Sequence, residues 1–175
     1  MNLMHKKTRQ LIELSFLGVI MFVSKIIMEA MPNIHLVSAL TIAYTLSYKE
    51  KALVPIYLFV VLNGISAGFA IWWIPYLYIW TILWAATMIL SKFVCEAHSV
   101  IVYQIVCALH GLFFGILYAP VNALLWGMSF SEMVSWIIAG IPYDCIHAAG
   151  NLFAGTLIIP ISKLINKLGA VHRDV

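Results

Sequence analysis

Asp144, His147 and Asn151 stand three and four residues apart in an otherwise apolar or small stretch, Gly140-Ile-Pro-Tyr-Asp-Cys-Ile-His-Ala-Ala-Gly-Asn151. On a helix that spacing puts a carboxyl, an imidazole and a carboxamide on one face. Three kinds of chemistry are open to such a stripe: a buried hydrogen-bond network that locks helices together, direct contact with a ligand, or proton or metal chemistry through Asp144 and His147. A second candidate is Lys25 with Glu29, spaced i, i+4 in another apolar run. They either neutralise each other on one helix face or line an outward-facing pocket.

Enzymatic readings find little to stand on. No GxSxG elbow, HExxH, phosphate-binding Walker loop or Rossmann glycine pattern occurs. No second cluster of His, Asp or Glu stands near Asp144 and His147 in sequence to complete a metal site. Any ATP-driven work therefore belongs to another chain, and this one is read as a non-enzyme without a cofactor. Cys95, Cys107 and Cys145 lack CxxC spacing and are odd in number, so they are read as small apolar packing residues, not as disulfides or zinc ligands.

The elements that position these side chains follow from composition. Of 175 residues 63% are hydrophobic and 10% charged, against about 45–50% and 25% in soluble domains. A single small core cannot hide that excess, so the surrounding solvent is lipid. The formal charge of +3 is too small to argue for nucleic acid. The sequence predicts an all-α integral membrane protein, one domain over residues 1–175, with six spans near 11–28, 35–48, 52–70, 73–90, 100–125 and 134–161. The basic N-terminal stretch is read as the flank of a first span and not as a signal peptide, because no small-residue cleavage site follows.

With six spans and both termini inside, Lys6, Lys7, Arg9, Lys49, Lys51, Lys92, Lys163, Lys167 and Arg173 are cytoplasmic, nine of the ten basic residues. Gly64-x-x-x-Gly68 and Gly111-x-x-x-Gly115 are expected to let helices approach closely. Trp72, Trp73, Tyr76, Tyr78 and Trp80 crowd the outer end of spans three and four, as an interfacial belt or as the wall of a site.

Three stretches carry a resemblance to a known family. They are Pro32-Asn-Ile-His-Leu-Val-Ser38 leading into Tyr44-Thr-Leu46, then Trp72-Trp-Ile-Pro-Tyr-Leu-Tyr78, and Ala139-Gly-Ile-Pro-Tyr-Asp144 with His147 and Gly150-Asn151. With six short spans and no ATPase motif, they resemble the S-components of energy-coupling factor (ECF) importers, the small membrane subunits that capture vitamins for an ABC-type motor. The resemblance covers nearly the whole chain and leans toward the cobalamin-carrying branch of lactobacilli.

It implies a bacterial plasma-membrane protein that binds a vitamin from outside and works with a coupling subunit and two ABC ATPases. Apolar contact would come from Trp72, Trp73, Tyr76, Trp80 and Trp126. Polar contact would come from Lys25, Asn33, His35, Asn122, Asp144, His147 and Asn151. Where many family members carry alanine-x-x-x-alanine for docking on the coupling subunit, this chain has Ser15-Phe-Leu-Gly18. Two other readings stand beside it: a self-contained proton-coupled transporter using Asp144 and His147, and a membrane assembly factor without a ligand.

Overall fold

The apolar stretches are helices. The computed structural model describes residues 3–171, with side chains for residues 7–168; Arg173 and the Lys6 side chain, counted above, lie outside the described residues. Eight α-helices follow in order: α1 (Leu3–Ile27), α2 (Val37–Tyr48), α3 (Leu53–Ala67), α4 (Tyr76–Leu90), α5 (Ser99–Leu112), α6 (Phe114–Trp126), α7 (Phe130–Gly155) and α8 (Ile158–Val171). Four continuous helical segments are long and apolar enough to cross a membrane, Lys7–Ile27, Val37–Ala67, Ile71–Leu90 and Glu96–Trp126; α7 and α8, bent by 44° where they meet, make a fifth. The outer surface suits hydrocarbon: Phe16, Leu124 and Phe153 are 67%, 81% and 76% exposed.

The segment Val37–Ala67 does not run straight. Lys49 takes a left-handed φ of 54° at the end of α2, and the chain reverses there. Tyr44 on α2 donates its hydroxyl to the Leu17 carbonyl on α1, whereas α3 leaves the turn alongside α1 in the same direction. Lys51 Nζ meets Gln10 Oε1 at 2.6 Å, and Gly18 lies against Pro55 and Leu58. α4 returns beside α3: Trp73 Nε1 donates to the Val60 carbonyl at 2.7 Å and Trp84 Nε1 to that of Lys49 at 3.1 Å. α5 and α6 continue one another with a break at Phe113. α7 runs antiparallel to them, with Gln104 Nε2 donating to the Leu152 carbonyl at 2.9 Å.

α2 is the axis of the bundle. Nine consecutive residues, Val37 to Thr45, are buried, which is the pattern of a helix covered on all sides. Its hydroxyls are satisfied within the helix: Thr41 donates to the Val37 carbonyl and Thr45 to that of Thr41. Local signals set the ends of α7. Ser129 and Glu132 form a capping box at its start. At its other end Pro160 has no N–H for the Thr156 carbonyl, and its ring would clash with that carbonyl in a continued helix. The helix therefore bends between Gly155 and Ile158, where the sequence predicted one span through residue 161.

Two packing expectations need correction. Gly68 caps the end of α3 at φ +88° with open space around it, and Gly64 is covered by the ring of Phe69, five residues on. That pair shapes a turn and does not join helices. Cys95 and Cys145 are exposed, and only Cys107 is buried as a packing residue.

Candidate functional site

Gly111 and Gly115 do what small residues four apart were expected to do. A Cβ on Gly111 would lie 2.9 Å from the backbone of His147 and Ala148, and one on Gly115 would strike the Asp144 carboxylate. The absence of side chains lets α7 lie directly against α5 and α6, so the Asp144–His147–Asn151 face turns inward. Asp144 is 8%, His147 3% and Asn151 0% exposed. The Gly115 N–H points at both carboxylate oxygens of Asp144, 3.2 Å from each.

One turn further along α7, His147 enters a closed circuit of aromatic rings. Centroids lie 4.8 Å apart for His147 and His35, 6.3 Å for His35 and Trp80, and 5.4 Å for Trp80 and His110. The circuit closes through Phe114, 6.0 Å from His110 and 4.9 Å from His147. These five rings come from α4, α5, α6, α7 and the turn before α2. Apart from His110 and Phe114, four residues apart, consecutive members of the circuit are distant in sequence, so only the folded bundle makes it.

Polar atoms of this circuit, and one on the adjoining Asn151, lack partners. His35 Nδ1, Trp80 Nε1, His110 Nε2, His147 Nε2 and Asn151 Oδ1 are all buried without a hydrogen bond, the complete set of such side-chain atoms among the described residues. A buried donor or acceptor left unpaired costs about 1–3 kcal/mol, and native interiors hold few of them. Four of the five belong to rings of the circuit, and the fifth is on Asn151, one turn along α7 from His147. Among the described residues no group of three or more His, Cys, Asp or Glu is arranged to hold a metal ion.

A hydrogen-bond chain fixes one side of the site. Asn151 Nδ2 donates to the Cys107 carbonyl at 2.9 Å and to Ser38 Oγ at 3.1 Å, and Ser38 Oγ lies 3.1 Å from His110 Nδ1. Above the circuit Trp72, in the turn before α4, and Tyr76 and Trp80 on α4 stack edge to face, each 5.6 Å from the next. Tyr118 continues the opposite wall between Phe114 and Trp136, and its hydroxyl donates to the Trp72 carbonyl.

The other candidates divide. His35 is half-buried at the edge of the circuit, and Asn33 occupies the left-handed position (φ 60°) of the turn that carries it. Lys25 and Glu29 form the expected ion pair at 3.5 Å on the adjoining end of α1. Trp73 is drawn to α3, and Tyr78 donates to the Leu117 carbonyl, so those two rings tie helices together. Trp126 is 65% exposed, and neither it nor Asn122 joins the ring contacts.

Ser15 is half-buried, while Gly18 is buried where a Cβ would lie 2.9 Å from Leu58. Gly18 packs against α3 of the same chain. Sequence reasoning missed His110, Ser38 and Phe114. The only hint was the position of His110 and Phe114 beside the two glycines. No protein-family model, curated protein or solved structure matches this chain.

Proposed function

We propose that this chain is the membrane-embedded solute-capture subunit of an ECF-type importer in a bacterial plasma membrane. In this reading it crosses the membrane six times, the segment Val37–Ala67 counting as two spans because it reverses at Lys49. Both ends then lie on the cytoplasmic side with Arg9, Lys49, Lys51, Lys92, Lys163 and Lys167. The site lies toward the opposite end, beside Lys25 and Asn33, and takes a vitamin from outside. We assign cobalamin as that vitamin. A coupling subunit and two ATPases supply the energy through protein contacts.

The observation that carries this reading is the ring circuit with its four unpartnered polar atoms, beside the unpartnered Oδ1 of Asn151. A protein with only a packing role gains nothing from leaving them unpaired. A capture site combines apolar walls with a few placed polar groups, as the stacked rings of Trp72, Tyr76 and Trp80 and the circuit below them do.

Equilibrium binding of cobalamin to the purified chain in detergent, without ATP, tests this. Saturable binding at one site per chain, with ATPase subunits copurifying from native membranes, is the expected result. Absence of binding by any vitamin, or uptake into liposomes by the chain alone under a pH gradient, contradicts it.

A further inference from the structure

The donor and acceptor pattern of the circuit defines the chemical group it takes. Asn151 Nδ2 donates to Ser38 Oγ, so the oxygen of Ser38 is an acceptor there and its own hydrogen is free to point to His110 Nδ1 at 3.1 Å. An imidazole that accepts at Nδ1 carries its hydrogen on Nε2. Where Ser38 is the donor of that pair, His110 carries its hydrogen on Nε2, which meets no acceptor within hydrogen-bond geometry. Trp80 Nε1 is a donor by constitution and is also unpartnered. At the other end of the same relay Asn151 Oδ1 is a buried, unpartnered acceptor. The site thus offers N–H donors and a carbonyl acceptor together, and its rings suit a flat group.

We propose that Ser38 donates to His110 Nδ1 and that the ring circuit formed by His35, Trp80, His110, Phe114 and His147 is a binding site for a planar, uncharged carboxamide. Its carbonyl accepts from His110 and Trp80, and its NH2 donates to Asn151 Oδ1. A carboxylate cannot donate to Asn151, and an amidinium cannot accept from His110 or Trp80. Ser38 acts as a positioning residue because it sets which nitrogen of His110 holds the hydrogen. This deepens the capture-subunit reading and rests on it for the role of the site.

Three probes of nearly the same shape separate the possibilities: benzamide, benzoate and benzamidinium. Each is titrated into the full chain in detergent, with Trp80 fluorescence as the signal and Trp80→Phe as the blank. Benzamide is expected to bind at least tenfold tighter than either charged probe. Ser38→Ala should weaken benzamide about tenfold, while Ser38→Thr, which keeps the hydroxyl, should restore it. Nitrogen-15 NMR of the histidine rings should show the His110 hydrogen on Nε2 in the natural chain and in Ser38→Thr, and a tautomer mixture in Ser38→Ala. Equal or tighter binding of benzoate or benzamidinium, no binding of any probe, or a His110 hydrogen on Nδ1 overturns the proposal. Cobalamin is titrated in parallel: benzamide binding without cobalamin binding leaves this site standing and removes the vitamin assignment, whereas cobalamin binding with no preference for benzamide does the reverse.

Discussion

Gly115 and Asp144 share one space: the N–H of Gly115 faces both oxygens of the carboxylate at 3.2 Å, and a methyl group on Gly115 would collide with Oδ2. This contact sets how closely α7 approaches α6, and through it where His147 stands in the ring circuit. Gly115→Ala should therefore destabilise the protein by about 1–3 kcal/mol, the usual cost of overpacking. Adding Asp144→Ala should return part of that loss, because it removes the group the methyl strikes. Thermal unfolding in detergent checks both, and a Gly115→Ala chain as stable as the natural one would contradict the contact.

Asn151 holds α7 to α5 and α2 with a single NH2 group shared between the Cys107 carbonyl and Ser38. Asn151→Leu leaves both without their donor in a dry interior, a loss of about 1–3 kcal/mol. It should also abolish ligand binding at temperatures where the variant remains folded. Retained binding in that variant would remove Asn151 from the site.

The native cysteines report the orientation of the bundle. Cys95 is exposed in the turn after α4, at the end that carries Lys49, Lys51 and Lys92; Cys145 is exposed on the outer face of α7, and Cys107 is buried. In sealed vesicles a charged, membrane-impermeant maleimide should add one label, at Cys95, and only from the cytoplasmic side. Cys145 should react only with an apolar maleimide, and Cys107 only after denaturation. Labelling of Cys95 from the outside would reverse the orientation.

Pro160 accounts for the 44° bend between α7 and α8. Pro160→Ala gives the Thr156 carbonyl a partner again and should straighten the segment. Spin labels on the exposed positions Phe153 and Leu164 should move apart by double electron–electron resonance. An unchanged distance would assign the bend to the packing of α8 on α2, where Ser47 and Ser162 meet at 3.0 Å.

Much of this was legible in the chain because helix periodicity is a local property. The inward face of Asp144, His147 and Asn151 follows from three- and four-residue spacing in apolar surroundings. The Lys25–Glu29 pair follows in the same way. His110 was not legible, since it reaches His35 and His147 only through the packing of α5 against α7 and α2, which no local pattern encodes. The contact of Gly18 was not legible for a related reason. A small residue announces a close approach but not the partner, and here the partner is α3 of the same chain. The bend at the end of α7 was within reach, because Pro160 stood in the predicted last span.

Native mass spectrometry of the chain released from gently purified membranes, beside a Trp80→Leu, His147→Leu chain that still folds, tests the central claim most directly. The account predicts a bound small molecule of discrete mass on the natural chain, matching a vitamin, and none on the double variant. A natural chain that emerges with no small molecule, and binds none when vitamins are added back, would contradict it.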